Sequence, residues 1–193
     1  QKTITDFKTA LVGGGARPNL FEVSIGNIPS PAGTLPEKFV VLCKAANLPA
    51  SNVASIDVPF RGRIFKVAGD RRFDPWTITV INDGDFKLRE SFEKWSNYII
   101  KVSDGSGTIN PADYFADWVV TQLGRADTVA TPGGQNSAPL PVKRAYKMYG
   151  CWPSSVGAIE LSYDSADVIE EFQVTMQVQW WEGYTGSNTD SVV

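Results

Sequence analysis

The sequence contains no histidine at all. Histidine is the commonest general base, a frequent metal ligand and the usual partner in nucleophilic triads, so its absence excludes three kinds of catalytic site. An enzyme built on this chain would have to work with carboxylates, lysine, tyrosine or cysteine. We therefore expect a protein that is not an enzyme and that uses no cofactor.

Cysteine is also scarce, since Cys43 and Cys151 are the only two in the chain. They show no metal-binding spacing, and the chain offers no histidine to complete a zinc site. Free cysteine is among the most buried residue types. We predict that both are buried, reduced thiols in strands.

The chain also lacks an excess of positive charge and lacks long apolar runs. The 193 residues carry a net charge of -3, whereas a protein that grips nucleic acid usually presents a basic patch. No apolar run approaches the roughly 20 residues that span a bilayer, so we expect no membrane anchor. The length suits one domain over residues 1–193, and no linker divides it.

Strand patterns dominate what the chain does contain. Alternation or short apolar runs predict strands at 20–25, 39–46, 53–60, 63–68, 76–82, 142–152, 158–163 and 169–182, and one that carries Tyr114, Trp118 and Val120 on one face. Gly69 and Asp70 predict a tight turn. One amphipathic helix is predicted over residues 85–100, with Leu88, Phe92, Trp95 and Ile99 on its buried face. Many short strands with one helix favour an antiparallel β-sandwich or barrel with a flanking helix.

The clearest alternation is in the last predicted strand, 169–182. Phe172, Val174 and Met176 share one face, and the opposite face is uncharged. A flat strand of this kind pairs on both edges or packs against another subunit. The candidate inter-subunit residues are therefore Gln173, Thr175, Gln177, Gln179 and Trp181.

Two other features of the sequence have competing interpretations. Gly13–Gly15 lacks the lysine and hydroxyl residue of a phosphate-binding loop, which favours a hinge. Trp76, Trp95 and Trp118 lie on apolar faces and are predicted to be core residues rather than a sugar-binding platform. Mobile segments are expected at the N-terminus, at 29–37, at 130–141 and in the tail 183–193.

Several short motifs occur here in the order seen in one known family. They are Ala16-Arg17-Pro18-Asn19-Leu20-Phe21, Cys43-Lys44-Ala45 with Leu48-Pro49-Ala50, Val67-Ala68-Gly69-Asp70-Arg71 with Phe73-Asp74 and Trp76-Thr77, Pro111-Ala112-Asp113-Tyr114, Gly150 with Trp152-Pro153 and Val156-Gly157, and Phe172 with Val174-Thr175 and Trp181-Glu182. Over about residues 16–182, the chain resembles the major tail tube protein of contractile-tailed bacteriophages.

The resemblance implies an assembly. Six subunits form a ring, strands from all six close one β-barrel around a lumen, and rings stack into the inner tube of a virion tail. The implied partners are further copies of the chain, the sheath, tape-measure, baseplate and tail-terminator proteins. DNA passes through without specific binding, and assembly takes place in the host bacterial cytoplasm. An acidic protein suits such a conduit, because a basic wall would hold phosphates.

With this resemblance, polar residues on the predicted strands become candidates for the lumen wall. Tyr114, Trp118, Tyr146 and Met148 are expected to point into the core of the subunit. Side chains on the opposite faces of these and other predicted strands would then line the lumen and give a wall of mixed charge. They are Asp57, Asp113, Asp117, Thr121, Lys143 and Lys147.

Two alternatives stay open at the level of sequence. The same fold would serve as the inner tube of a phage-derived contractile injection system or bacteriocin, with protein as cargo. A carbohydrate-binding β-sandwich belongs to a different class and is supported only by the aromatic content.

Overall fold

The computed structural model describes residues 3–11, 15–26, 28, 35–125, 140–165 and 167–185. In this part of the chain the order of elements is α1 (Ile4–Ala10), β1 (Phe21–Ile25), α2 (Phe39–Leu42), β2 (Cys43–Ala46), β3 (Ser51–Phe60), β4 (Arg63–Phe73), β5 (Trp76–Ile81), α3 (Lys87–Ile99), a 3-10 helix (Pro111–Asp113), β6 (Ala116–Leu123), β7 (Val142–Val156), β8 (Glu171–Gln177) and β9 (Trp180–Thr185). None of the helices among these residues is long and apolar enough to span a bilayer.

Seven strands form one antiparallel sheet, and β7 divides it into two halves. The first part of β7 pairs with β6 and β9, and β6 pairs with β1. We call β1, β6, β7 and β9 the first half-sheet. The last part of β7 pairs with β8, which continues to β5 and β2 as the second half-sheet. The remaining strands, β3 and β4, pair with each other as a separate two-stranded ribbon.

The core lies between the two half-sheets and α3. Trp118 of β6 contacts Trp76 of β5, with ring centroids 5.5 Å apart. Phe92 of α3 contacts Trp118 and also Phe172 of β8, at 6.5 and 6.2 Å. The predicted antiparallel sandwich with a flanking helix is thus confirmed, and α1 and α2 are short helices that the sequence did not predict.

The amphipathic helix has the buried face that its periodicity predicts. Leu88, Phe92 and Trp95 are fully buried, and Ile99 packs against the core. The helix starts two residues later than predicted because Phe86 adopts a left-handed φ of 56° at the N-cap. The Asp83 carboxylate accepts a hydrogen bond from the Leu88 backbone N–H at 3.4 Å and so helps to satisfy the first turn.

The apolar run 39–46 is half helix and half strand. Residues 39–42 form α2, and only Cys43–Ala46 is extended. The helical turn directs the Phe39 ring onto Trp118, at 5.4 Å between centroids. A continuous apolar run has no periodicity that would distinguish the two states.

The predicted turn at Gly69 and Asp70 and the predicted strand 158–163 are both wrong. Gly69 and Asp70 lie inside β4, where the register with β3 shifts between Val53 and Ser55. A Cβ at Gly69 would lie 3.1 Å from the Ala54 carbonyl oxygen, so glycine permits the close approach in this bulge. Residues 158–163 form no strand, since the chain there crosses the surface with Leu161 and Tyr163 exposed.

The predicted strand 169–182 is two strands. β8 ends at Gln177, and β9 begins at Trp180 after a short break. The break moves the chain from β8, within the second half-sheet, to the first part of β7. The Gln179 backbone N–H donates to the Tyr149 carbonyl oxygen at 3.2 Å across this crossing.

The predicted mobile segments fall largely outside the described residues. This holds for Gly13 and Gly14, for 29–34, for 130–139 and for 186–193. Two parts of the prediction are wrong. Leu35 is buried, and the tail begins as part of β9, in which Tyr184 is buried.

We expect Trp95→Ala to lower the free energy of unfolding by about 3–5 kcal/mol, because the ring is fully buried and its loss leaves a cavity. Trp95→Phe is the matched control. It keeps most of the packing but loses the 2.9 Å hydrogen bond from the indole N–H to the Tyr114 carbonyl oxygen, so a loss of about 1–2 kcal/mol is expected. Urea unfolding of the three proteins measures both values, and equal stability of Trp95→Ala and wild type would contradict the packing.

Candidate assembly surfaces

The first half-sheet has one face in the core and one face open. Val23, Trp118, Val120 and Met148 occupy the core face and are fully buried or nearly so. Because side chains alternate along a strand, their neighbours share the opposite face. The cross-strand pairs Glu22 with Thr121, Val119 with Lys147, and Lys147 with Glu182 extend this open face across all four strands.

Three predicted lumen residues meet on this open face. Asp117 and Lys147 form an ion pair, with 3.6 Å between the carboxylate oxygen and Nζ. The other Asp117 oxygen accepts a hydrogen bond from the Gly150 backbone N–H at 3.2 Å. Thr121 lies two residues along β6 from Val119 on the same face. Lys143 is exposed on β7 beside a register shift that leaves it without a cross-strand partner on β6.

The structure places the other two predicted lumen residues elsewhere. Asp113 is exposed at the end of the 3-10 helix, before β6 begins, so it does not alternate with Asp117 on one strand. Asp57 lies on the ribbon, where it pairs with Lys66 at 3.4 Å. The six candidates therefore do not share one surface within the subunit. Of the predicted core residues, Trp118 and Met148 are fully buried, whereas Tyr114 and Tyr146 are half-buried.

An aromatic group continues the open face and was missed at the level of sequence. The Lys147 ammonium lies 4.6 Å from the centre of the Tyr149 ring, and that ring stacks on Trp180 with centroids 3.9 Å apart. The hydroxyls of Tyr149 and Tyr184 are 2.8 Å apart, and Tyr184 donates to the Glu182 carboxylate at 2.9 Å. The hydrogen bond with Tyr149, together with burial and Glu182, raises the pKa of Tyr184 above its ordinary value. The Tyr184 phenol therefore stays protonated near neutral pH.

The predicted inter-subunit residues divide into two groups. Gln173, Thr175 and Gln177 share the outer face of β8, next to Thr77 and Thr79 of β5. These side chains are uncharged, although Glu171 at the start of β8 shares the face and pairs with Lys44, and the Thr77 and Thr175 hydroxyls are 3.3 Å apart. Both edges of β8 are paired within the subunit, by β5 and by β7. Any contact through these residues would therefore be made by the face of β8 and not by its edge.

Gln179 and Trp181 do not share that face. Gln179 is exposed at the break between β8 and β9. The break reverses the alternation, so Trp181 pairs with Met148 on the core side and packs on Tyr146 and Phe73, at 5.6 and 6.2 Å. Its indole N–H donates to the Ala50 carbonyl oxygen at 3.2 Å. The neighbouring Trp180 is the more exposed of the two.

The ribbon of β3 and β4 carries an apolar face that the described part of the chain leaves exposed. Its tip is Arg61-Gly62, whose φ angles of 47° and 83° are those of a tight two-residue hairpin. Cross-strand pairing puts five apolar side chains on one face, which we call the ribbon face, and all are exposed: Ile56, Val58, Phe60, Phe65 and Val67. The Asp57–Lys66 ion pair lies on the opposite face.

The described residues offer no assembled metal site. No group of three or more His, Cys, Asp or Glu side chains among them is placed to hold a metal ion. An open cleft of about 710 Å³ lies beside the loop 157–170, but two carboxylates that line it are already engaged. Glu171 pairs with Lys44, and Glu170 accepts from the Asn82 amide at 3.0 Å.

Both cysteines are buried and free, as predicted. Burial raises the pKa of each thiol to about 12. The reactive thiolate form is therefore scarce at neutral pH.

Comparison with known proteins matches most of the chain to one family. Residues 16–183 match the family described as phage tail tube protein. The tail tube protein gp19 of Enterobacteria phage T4 is 35% identical over 167 residues, which is 86% of this chain and 91% of that protein. The tail tube protein of Serratia phage KSP90 is 29% identical over 174 residues, which is 88% of this chain and 90% of that protein.

Two solved structures share the fold. The tube-terminating cap of the anti-feeding prophage superposes with a TM-score of 0.60 at 14% identity, covering 89% of this chain and 91% of that one. A chain of the sheath–tube complex of the PVC extracellular contractile injection system superposes with a TM-score of 0.54 at 13% identity, covering 96% and 99%. With its family match across most of its length, this chain belongs to the phage tail tube protein family.

Proposed function

We propose that this chain is the structural subunit of the inner tube of a contractile phage tail, in which hexameric rings stack into a conduit for DNA. The first half-sheet carries this proposal, because it has a packed face, an open polar face and two free edges. The role is structural and requires no cofactor. The subunit acts in the virion tail, after assembly in the bacterial cytoplasm with sheath, tape-measure, baseplate and tail-terminator proteins.

The free edges allow the sheet to continue from one copy to the next. Among the described residues, β1 pairs only with β6, and β9 pairs only with β7. Neighbouring strands alternate in direction, so β1 and β9 run antiparallel to each other. β9 of one copy can therefore add to β1 of the next as an antiparallel strand, and repeated head-to-tail addition closes into a ring. Closure removes edges that would otherwise pair at random.

The backbone of β1 shows which groups are available for this addition. Leu123 N–H donates to the Leu20 carbonyl oxygen at 2.8 Å, and Gly26 N–H donates to that of Asp117 at 2.7 Å. Even-numbered residues of β1 therefore bond to β6. In an antiparallel pair the alternate residues face away, so the N–H groups of Phe21, Val23 and Ile25 point to the free edge.

The open face of the first half-sheet is the proposed lumen wall. It carries the carboxylates of Glu22, Asp117 and Glu182, with the ammonium group of Lys147 among them. Repetition around a ring turns each charge into a ring of like charge. A wall with an excess of carboxylates does not bind phosphates, so DNA passes without specific contact. Asp57, Asp113 and Lys143 are less well supported as wall residues than Asp117, Thr121 and Lys147.

Two further surfaces are proposed as contacts between copies. The ribbon face exposes about two thirds of both Phe60 and Phe65, and a patch of this kind marks an interaction site. Another copy covers it in the assembled tube. The outer face of β8 with the uncharged side chains of Gln173, Thr175 and Gln177 is the second such surface.

The two sequence-level alternatives have weaker support. The chain is more similar in sequence to phage tail tube proteins than to the injection-system chains, which share only the fold at 13–14% identity. Trp76, Trp95 and Trp118 are fully or almost fully buried. They therefore cannot form the exposed platform that a carbohydrate-binding sandwich would need.

We expect the purified chain at high concentration to form rings and stacked tubes in electron micrographs, and Ile25→Pro to prevent them. Proline removes the outward N–H of Ile25, so each subunit contact loses one hydrogen bond, worth about 1 kcal/mol of association free energy. The subunit itself should still fold, because proline is tolerated at such an edge position. Ile25→Ala is the matched control, since it also shortens the side chain but keeps the N–H. Circular dichroism must show both variants folded. Persistence of the wild type as a monomer, even with tail-assembly partners added, would count against the proposed function.

We expect Thr121→Lys to slow genome ejection and Thr121→Glu to leave it near the normal rate. The lysine adds a ring of positive charge to the proposed wall. The glutamate is also a longer side chain than threonine but has negative charge, so it controls for side-chain length. Because phosphate binding by lysine is salt-dependent, added salt should relieve the delay. Ejection kinetics of phages that carry each variant, with tubes verified by microscopy, give the answer. Equal rates for the two variants would place Thr121 away from the path of the DNA.

A further inference from the structure

The helix α1 carries an apolar stripe that none of the described residues of its own subunit covers. Ile4, Phe7 and Leu11 follow each other at intervals of three and four residues and lie on one side of the helix. All three are exposed, and no residue of α1 is buried. Thr5, Asp6 and Thr9 occupy the other side. The arrangement is that of an amphipathic helix whose apolar partner lies outside its subunit.

The sequence of α1 favours the helical state, although the helix is short. Thr3 and Asp6 form a reciprocal capping box, with Thr3 N–H donating to the Asp6 carboxylate at 2.8 Å. Helices shorter than about 12–15 residues are nevertheless marginal in water, and most gain their stability from tertiary packing. A helix of only seven residues with an exposed apolar stripe therefore requires a surface on which that stripe can pack.

The ribbon face matches this stripe in chemistry and length. Both surfaces are built mainly of aliphatic and phenylalanine side chains, and Arg63 pairs with Phe60 at the tip of the ribbon face. The stripe from Ile4 to Leu11 extends about 10 Å along the helix axis, from a rise of ~1.5 Å per residue. The ribbon face from Ile56 to Phe60 extends about 13 Å, from a rise of ~3.3 Å per residue. One helix of this length covers the two-stranded face.

We propose that α1 of one copy packs its apolar stripe on the ribbon face of a second copy. The inference rests on the proposed function, because a tube surrounds each copy with others. Within one subunit, the stripe of α1 and the ribbon face are both exposed, so they do not cover each other. A second copy is therefore favoured as the partner. It is favoured over a different protein because one chain presents both complementary surfaces. α1 lies outside residues 16–183, the range that matches the family.

A disulfide cross-link between two single-cysteine variants tests the contact. Phe7→Cys and Val58→Cys proteins are mixed, allowed to form tubes and oxidised gently. We expect a dimer on a non-reducing gel from the mixture and none from either variant alone. The native Cys43 and Cys151 are buried and have raised pKa values, so they give no background. Thr9→Cys mixed with Val58→Cys is the matched control, because Thr9 lies on the polar side of α1.

Each outcome decides the proposal. Tubes without the Phe7–Val58 cross-link would overturn it and leave the proposed function intact, whereas absence of tubes from the wild type would refute the proposed function itself. A cross-link within single molecules of a Phe7→Cys/Val58→Cys double variant at high dilution would show docking on the same copy and would also overturn it. If either cysteine prevents tube formation, Ile4→Cys and Ile56→Cys replace the pair.

Discussion

The packing of Trp118 against three other aromatic rings is the contact on which the rest of the subunit depends. Trp118 belongs to β6 and meets Phe39 of α2, Trp76 of β5 and Phe92 of α3, with ring centroids 5.4–6.5 Å apart. One side chain therefore joins both half-sheets and two helices. Its indole N–H has no hydrogen-bond partner among the described residues. The site thus gives up a polar contact in favour of aromatic packing.

This arrangement decides which surfaces remain for assembly. The core holds one face of each half-sheet and of α3, so the opposite face of the first half-sheet is free to be polar. Among the described residues, no further strand pairs with β1 or β9 at the two edges of that half-sheet. Apolar side chains that the core does not cover lie on the ribbon and on α1, and also at positions such as Val102, Ile109 and Leu161.

Sequence alone predicted the elements whose burial is decided locally. α3, β5 and the core residues of β6 follow from periodicity, because each packs one face within its own subunit. The break at Val178–Gln179 could not be predicted, since it depends on β9 reaching a distant part of β7. That break places Trp181 inside and Trp180 outside, the reverse of the simple alternation. The two lumen candidates on other elements have different explanations. No periodicity shows that Asp57 belongs to a ribbon separate from the main sheet. The 3-10 helix that holds Asp113 does have a local signal, since Asn110 caps it and Pro111 begins it.

The long strand β7 has a mechanical consequence. Its 15 residues bond to the first half-sheet at one end and to the second at the other. Gly150, with a φ of 62°, lies at the bulge between the two parts of β7, so that one strand can pair with both half-sheets. A load that pulled the two halves apart along this strand would have to shear many backbone hydrogen bonds together, not peel them one by one. The subunit therefore resists stretching as a single tied unit, a property suited to a conduit that must keep its bore while the structure around it shortens.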